Sequence, residues 1–375
     1  MTTSQILQGD ALSVLKTLES GSVQCCATSP PYYRLRNYQT EPQIWGGEGC
    51  VHEWGASTPY IKADTRTREQ KIAQGATVGS SSRVNDEMTA TATSGSFCVK
   101  CNAWRGELGL EPTMELYVDH IVEICAEIKR VLKDDGTFWL NLGDSYASSG
   151  GSSRHFGYTD PKYKNGRNGN HVEPTAFPQS CRPKSLMNIP YRVAIALTDR
   201  LGLIQRNCII WHKPSCMPSP VKDRFTVDFE PIFLFSKQER YQFEQQIEEA
   251  ITPMGTKGAR GSSRRAVDML VNSRPAEYAV YNGQRNKRTV WTVPFEPQSN
   301  THYASYPTKL IEPMILAGSR EGDTILDPFN GTGTTGLVAL RNNRNYIGIE
   351  LNPEYIEISE ERLKDVQPRL EQLYL

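Results

Sequence analysis

One decapeptide, Asp327-Pro-Phe-Asn-Gly331-Thr-Gly333-Thr-Thr-Gly336, constrains the fold of this chain more than any other feature. It follows a short apolar run at 324–326, read as a strand, and opens a helical pattern over 335–342. Its glycines have GxGxxG spacing, which permits a tight turn and brings a helix N-terminus close to a ligand. A second strand is expected at 346–350, ending in Glu350, which stands 19 residues after Gly331. Rossmann-type sheets place an acid there to accept hydrogen bonds from ribose hydroxyls. Strand, turn, helix, strand and acid in that order point to an adenosine-containing cofactor, either NAD or S-adenosylmethionine. The alternative is a plain tight turn between strand and helix. A phosphate-clamping P-loop is excluded, because Leu337-Val338 stands where Lys-Ser/Thr must be.

The other end of the chain carries a rigid corner. Residues 23–28 read as a strand, stopped by Ser29-Pro30-Pro31-Tyr32, since two successive prolines cannot continue a sheet ladder. The corner therefore lies at the carboxyl end of a strand, the edge where open α/β sheets bind ligands. The Ser29 hydroxyl and the Pro30 carbonyl are expected to face outward as acceptors, with Tyr32 offering a ring for stacking. That set suits an aromatic amine such as the exocyclic nitrogen of cytosine or adenine, whose lone pair is delocalised into the ring. Two acceptors that draw its hydrogens out of the ring plane localise the lone pair for in-line attack on a methyl sulfonium. Proximity supplies much of the rest. Alone, such a tetrapeptide is an ordinary rigid turn; the glycine turn gives it chemical meaning.

Together, TSPPY and DPFNGTGTTG resemble the amino-methylating DNA methyltransferases, in the permuted order called the β class, over most of the chain outside an insertion. Gly9-Asp10, Ile189-Pro-Tyr-Arg192, Ile210-Trp-His-Lys-Pro214, Asp223-Arg224 and Glu230-Pro-Ile-Phe-Leu-Phe235 are similar to further family motifs. His302-Tyr-Ala-Ser-Tyr306-Pro-Thr-Lys309 resembles the HxAxFP element, with Tyr306 in place of Phe. The resemblance implies S-adenosyl-L-methionine as cofactor, with Asp327, Phe329, Gly331 and Gly333 around its methionine part, Glu350 at the ribose and Asp10 at the adenine. Ser29, Pro30, Pro31 and Tyr32 would hold a target base flipped out of double-stranded DNA. Within the family, Ser at the first motif position is similar to the cytosine-N4 enzymes, whereas Asp or Asn is usual for adenine-N6. N4-cytosine is therefore expected, with N6-adenine as the rival. A cytosine-C5 enzyme would need a Pro-Cys nucleophile, and the sequence has no Pro-Cys dipeptide. A nicotinamide-dependent oxidoreductase would share the glycine turn but explains neither the proline corner nor the basic segment described below. A zinc-bearing nucleic-acid binder without catalysis leaves the cofactor half without purpose.

Alternating strands and helices imply an α/β fold: a doubly wound, mostly parallel, Rossmann-like sheet. Helices are expected at 11–18, 114–132, 190–201 and 309–317, and further strands at 137–142, 203–211 and 230–236. The expected division is a catalytic part at 1–45, an insertion at 46–112 and a continuation at 113–236. A target-recognition region at 237–295 and a cofactor-binding part at 296–375 complete it.

Between residues 63 and 96 the only large aliphatic side chains are Ile72, Val78, Val84 and Met88, too few to fold unaided. Cys50-Val-His52 and Cys98-Val-Lys-Cys101 flank that stretch. Two pairs of such ligands make the four-coordinate set of structural zinc, and a metal can close a segment that lacks a core. A chance thiol pair or a redox CxxC is the alternative. Of the nine cysteines, Cys25, Cys26, Cys125 and Cys208 lie in apolar stretches and read as small core residues. His120 is expected to be a packed or surface residue; His155, His171 and His212 are left unassigned.

Lys and Arg number 42 and Asp and Glu number 42, but the charge is unevenly spread. Eight basic residues against two acidic ones fall between Met254 and Arg288, and seven acidic against three basic from Glu350 onward. A solvated loop accounts for such a run; a surface for duplex DNA does so as well. No apolar run approaches the ~20 residues that span a bilayer, and no leader is visible. The expectation is a cytoplasmic, nucleoid-associated protein of bacterial or phage origin, a monomer or homodimer, with a cognate restriction endonuclease as functional partner.

Overall fold

The computed structural model describes residues 2–35, 38, 40–55, 58–60, 92–147, 181–182, 184–216, 219, 221–249, 284–296 and 306–366. In chain order the first elements are β1 (Ser4–Gln8), α1 (Ala11–Thr17) and β2 (Val23–Thr28). The insertion contributes β3 (Gln43–Trp45), β4 (Thr58–Tyr60), β5 (Ala92–Phe97) and β6 (Trp104–Gly106). Then come α2 (Met114–Val131), β7 (Leu132–Asn141), α3 (Ile189–Leu201), β8 (Ile204–His212) and β9 (Phe229–Ser236). A β10–β11 hairpin (Ile247–Glu249 and Gln284–Asn286) and β12 (Val290–Thr292) precede α4 (Thr308–Gly318). The chain closes with β13 (Thr324–Asp327), α5 (Thr334–Arg341), β14 (Asn345–Glu350) and α6 (Pro353–Leu363).

The main sheet has eight strands in the order β1-β14-β13-β2-β7-β9-β8-β12. Every neighbouring pair is parallel except those made by β9, which runs against both β7 and β8. From β13 the chain passes through α5 to β14 on one side; from β2 it proceeds to β7 on the other. The switch in direction therefore lies between β13 and β2, where doubly wound sheets open a crevice at their carboxyl edge.

Helices cover both faces of the sheet, and β2 shows why. It is buried along its whole length, and its side chains alternate from Cys25 onward: Cys26 packs with α1, α2 and α3, whereas Cys25 and Ala27 pack with α4 and α5; Val23, before the register shift, joins the Cys26 side. The amphipathic helix α2 starts where the Thr113 side chain accepts the Leu116 N–H at 3.2 Å, and it buries Tyr117, Ile121, Ile124 and Ile128.

Most expected elements are present within a residue or two, and four differences carry information. β1 is a short strand with adjacent Ile6 and Leu7 between polar residues, and no strand was expected there. β7 begins at Leu132 and runs through Asp134–Gly136, ahead of the strand expected from 137. Its register with β2 jumps from Val23↔Leu132 to Cys25↔Thr137, so the Asp-Asp-Gly residues are taken up as a bulge. Cys208 is only partly buried, because β8 alternates outward near the sheet's edge. The antiparallel sheet β3-β6-β5-β4 of the insertion reaches back to Gln43. Most of the basic run at 254–288, the Gly/Ser-rich stretch at 148–169, most of 63–96, His155, His171 and residues 302–305 lie outside the described residues. No helix among the described residues is long and apolar enough to cross a membrane.

Candidate active site

The two sequence motifs meet at the switch point. Asp327 ends β13 and Thr28 ends β2, and the Thr28 hydroxyl donates to Asp327 Oδ1 at 2.5 Å. The Asp327 carboxylate is 1 % exposed and surrounded by donors. The Phe329 N–H donates to Oδ1 at 3.1 Å, while Tyr306 Oη and Thr335 Oγ1 donate to Oδ2 at 2.8 and 2.6 Å. Burial pushes its pKa up, and these hydrogen bonds oppose that rise. With its acceptor positions taken, Asp327 shapes the turn from within. It fixes the first residues of the glycine turn and the residue before Ser29 to one another.

On the β2 side the corner is held by a directed chain of hydrogen bonds. Ser29 Oγ donates to Tyr32 Oη at 3.1 Å, and Tyr32 Oη lies 2.8 Å from Glu230 Oε2 and 2.9 Å from Asn141 Oδ1. The phenol has one proton, and the carboxylate is the stronger acceptor. Glu230, at the start of β9, is paired in turn with Lys213, whose ammonium sits 4.2 Å from the Trp211 ring centroid. Burial and the Glu230 charge hold the Tyr32 phenol well above its ordinary pKa. Because the Ser29 proton is spent on Tyr32, the Ser29 oxygen keeps its lone pairs for an incoming N–H. The Tyr32 ring packs against Gly143 just beyond β7, where a Cβ would come within 2.4 Å of it. The expectation of a freely offered stacking ring is thereby modified. The Pro31 carbonyl accepts from Tyr117 Oη at 2.8 Å, and Pro30 is buried.

On the β13 side the glycine turn is closed by Glu350. Its Oε2 accepts the Gly331 N–H at 2.7 Å, and its Oε1 accepts the Leu351 and Asn352 N–H groups at 2.9 Å each. Three of a carboxylate's roughly four acceptor positions are filled, which leaves one for a hydroxyl. Gly331 and Gly333 have φ of 52° and 77°, left-handed values that let the turn deliver its chain to the N-terminus of α5. Phe329 is partly exposed at this turn. Asp10 caps α1, accepting the Ser13 N–H at 2.9 Å. Since Gln8 pairs with Glu350 and the Gly9 N–H donates to the Glu350 carbonyl at 3.0 Å, Asp10 stands at the same carboxyl edge.

A family model described as DNA methylase, of the N6/N4 methyltransferase kind, matches residues 23–361. This chain belongs to that family. The methylase is 36 % identical over 361 residues to the type II methyltransferase M.XycI of Xanthomonas campestris pv. cyanopsidis, covering 96 % of this chain and 88 % of the relative. It is 35 % identical over 359 residues to M.Cfr9I of Citrobacter freundii, covering 96 % and 87 %. The solved structure of the PvuII DNA methyltransferase (cytosine-N4-specific) shares the fold, with a TM-score of 0.52 at 17 % identity over 98 % of this chain and 89 % of that one.

Sequence reasoning passed over several groups at the methylase's carboxyl edge. Thr28 and Thr335, like Glu230, Lys213 and Tyr306, stood only as letters within motifs. Asn141 and Asp144 lie after the apolar part of β7. Asp144 Oδ1 accepts from the Ser145 and Ile189 N–H groups at 2.8 and 3.1 Å, while its enclosed Oδ2 has no hydrogen-bond partner among the described residues. In the insertion, Cys50, His52, Cys98 and Cys101 come together as the spacing anticipated, with their donor atoms all within 4.8 Å of one another. His120 is 5 % exposed and stacks on Trp45, a packed residue as expected. His212 Nδ1 lies 3.0 Å from Thr292 Oγ1, within the sheet edge.

Proposed function

We propose that this DNA methylase moves a methyl group from S-adenosyl-L-methionine to the exocyclic N4 of a cytosine flipped out of duplex DNA. The single observation that carries the reading is the Thr28–Asp327 hydrogen bond, which sets the Ser29–Tyr32 corner against the glycine turn at the switch point.

The residues present suit the cofactor. The left-handed turn at Gly331 and Gly333 is where a ligand's polar groups approach backbone, Glu350 retains one acceptor position for a ribose hydroxyl, and Asp10 stands beside it for the adenine amine. Phe329 and the acidic character of this edge suit a cation with an apolar flank. When bound, S-adenosylmethionine supplies an electrophilic methyl carried by a sulfonium.

The corner prepares the nucleophile. Ser29, its proton directed to Tyr32 and from there to Glu230, accepts one amino hydrogen of the base; the Pro30 carbonyl is assigned the other. Drawing both hydrogens toward acceptors concentrates the lone pair on nitrogen, an electrostatic and orienting effect rather than prior deprotonation. The base nitrogen so held would take the methyl that the cofactor gives up in leaving as a neutral thioether, and the methylated amine would lose its extra proton to water. Serine at position 29 is the feature that favours cytosine over adenine. The region 237–295 is assigned to recognition of the DNA word, and a cognate endonuclease is the functional partner. The zinc expected at Cys50, His52, Cys98 and Cys101 has no part in the step.

Transfer of labelled methyl to duplex DNA tests the proposal. Ser29→Ala should lower transfer by about two orders of magnitude with cofactor affinity retained; undiminished transfer would remove the corner from the chemistry.

A further inference from the structure

The insertion brings together three thiols and one imidazole. Cys50, His52, Cys98 and Cys101 come from two segments on either side of residues 61–91, yet their ligand atoms all lie within 4.8 Å of one another, with Cys101 Sγ 3.4 Å from His52 Nδ1. None of the three cysteines is in a disulfide. A tetrahedral Cys3His zinc ion with Zn–S of about 2.3 Å and Zn–N of about 2.0–2.1 Å has ligand-to-ligand edges of about 3.5–3.8 Å. The cluster needs only a small contraction to reach that geometry.

The backbone around it is arranged for such a centre. The Asn102 N–H donates to the Cys98 carbonyl at 2.9 Å, and Asn102 takes a left-handed φ of 61°, so the chain folds tightly back after Cys101. The Glu53 N–H points at Cys98 Sγ from 3.4 Å, a donor suited to a thiolate. Gly47, with φ of 71°, passes so close that a Cβ would lie 2.7 Å from Cys101 Sγ and 2.8 Å from His52 Cε1. Lys100 adds nearby positive charge, its ammonium 3.5 Å from Glu53.

We propose that Cys50, His52, Cys98 and Cys101 bind one zinc ion in a closed tetrahedral Cys3His site, and that this ion braces the Ser29–Tyr32 corner. Four protein ligands leave no open position, so the site is structural.

The route from metal to corner is short. The Cys98 N–H donates to the Ala103 carbonyl at 2.7 Å, next to Trp104, which pairs with Trp45 across β6 and β3. Both indoles stack on His120 of α2, at 5.4 and 4.2 Å between centroids. His120 Nδ1 lies 3.0 Å from Glu111, which also accepts the Gly109 N–H at 2.8 Å. The Gly109 carbonyl accepts the Arg34 N–H at 2.7 Å, just after Tyr32. Between residues 63 and 96 few large side chains are available to pack, and the metal closes that stretch from its two ends.

Elemental analysis of the purified full chain should give about one zinc per chain, and Cys98→Ser with Cys101→Ser should reduce it at least tenfold. Since that variant can fail to fold, the wild-type protein is also exchanged into cobalt(II), which should show intense thiolate charge transfer and tetrahedral d–d bands. Removing the metal with a chelator should raise proteolytic cleavage between residues 43 and 111 while leaving binding of S-adenosylmethionine within twofold. A folded, zinc-free wild type, a Cys98–Cys101 disulfide in the purified protein, or an octahedral cobalt spectrum would overturn the assignment. These readouts are independent of methyl transfer, so they succeed or fail separately from the proposed reaction.

Discussion

Thr28 and Asp327 stand 299 residues apart in the chain, yet the threonine hydroxyl donates to the aspartate carboxylate at 2.5 Å. Parallel pairing of β2 with β13 makes this possible, and burial makes it strong, because neither group has water as a competing partner. Thr28→Val keeps the shape and deletes the donor. Leaving the buried carboxylate one partner short should cost about 1–3 kcal/mol of stability and weaken cofactor binding, both measurable by urea denaturation and calorimetric titration. Thr28→Ser should restore most of each. Wild-type values in the valine variant would show that the contact does not organise the cleft.

Glu230 terminates the chain of hydrogen bonds that begins at Ser29. Glu230→Gln keeps the size but offers an amide N–H to Tyr32, so the chain's direction is no longer fixed, and Lys213 loses its counter-charge. The expected outcome is a fall in kcat of about tenfold or more with KM for S-adenosylmethionine changed less than twofold. A loss confined to KM would mean that Glu230 merely supports binding.

A separate test of Tyr32 comes from its neighbour. In Gly143→Ala the new methyl would lie 2.4 Å from the Tyr32 ring, so the ring must move. Overpacking of this kind costs about 1–3 kcal/mol. The account predicts a folded protein, judged by circular dichroism, with methyl transfer reduced at least tenfold relative to wild type.

The basic run between Met254 and Arg288 should make DNA affinity fall steeply with salt, since each phosphate contact releases counterions. At its described end, Arg285 and Arg288 both reach Glu248, at 2.9 and 3.1 Å. These two arginines should therefore contribute less to the salt slope than an unpaired cation would. Fluorescence anisotropy across a salt series measures the slope, and a flat response would argue against a phosphate-tracking role for the segment.

How much of this was legible in the sequence depended on how local the cause was. The proline corner and the glycine turn express their physics within about a dozen residues, the α2 helix within a single element, and the CxH and CxxC pairs each within a few residues; each occurs where it was expected. The reversed β9 and the bulge at Asp134–Gly136 were not legible, because pairing partners choose them: the same apolar letters serve a parallel or an antiparallel strand. The polar shell of the corner was equally hidden. Glu230 and Asn141 reach Tyr32 from β9 and the end of β7, Lys213 joins Glu230 from the residue after β8, and only the order of strands brings them together. Asp327 shows the converse. The sequence marked it as a cofactor residue, while the fold surrounds it with Thr28, Phe329, Thr335 and Tyr306, making it an organiser of the turn.

The most direct test is the chemical identity of the product. Duplex DNA incubated with the purified protein and S-adenosylmethionine is digested to nucleosides and analysed by mass spectrometry. The account predicts N4-methyldeoxycytidine from the wild type and its loss in Ser29→Ala. N6-methyldeoxyadenosine alone would contradict the assignment of the base, and 5-methyldeoxycytidine, or no methylated nucleoside, would contradict the amino-directed chemistry itself.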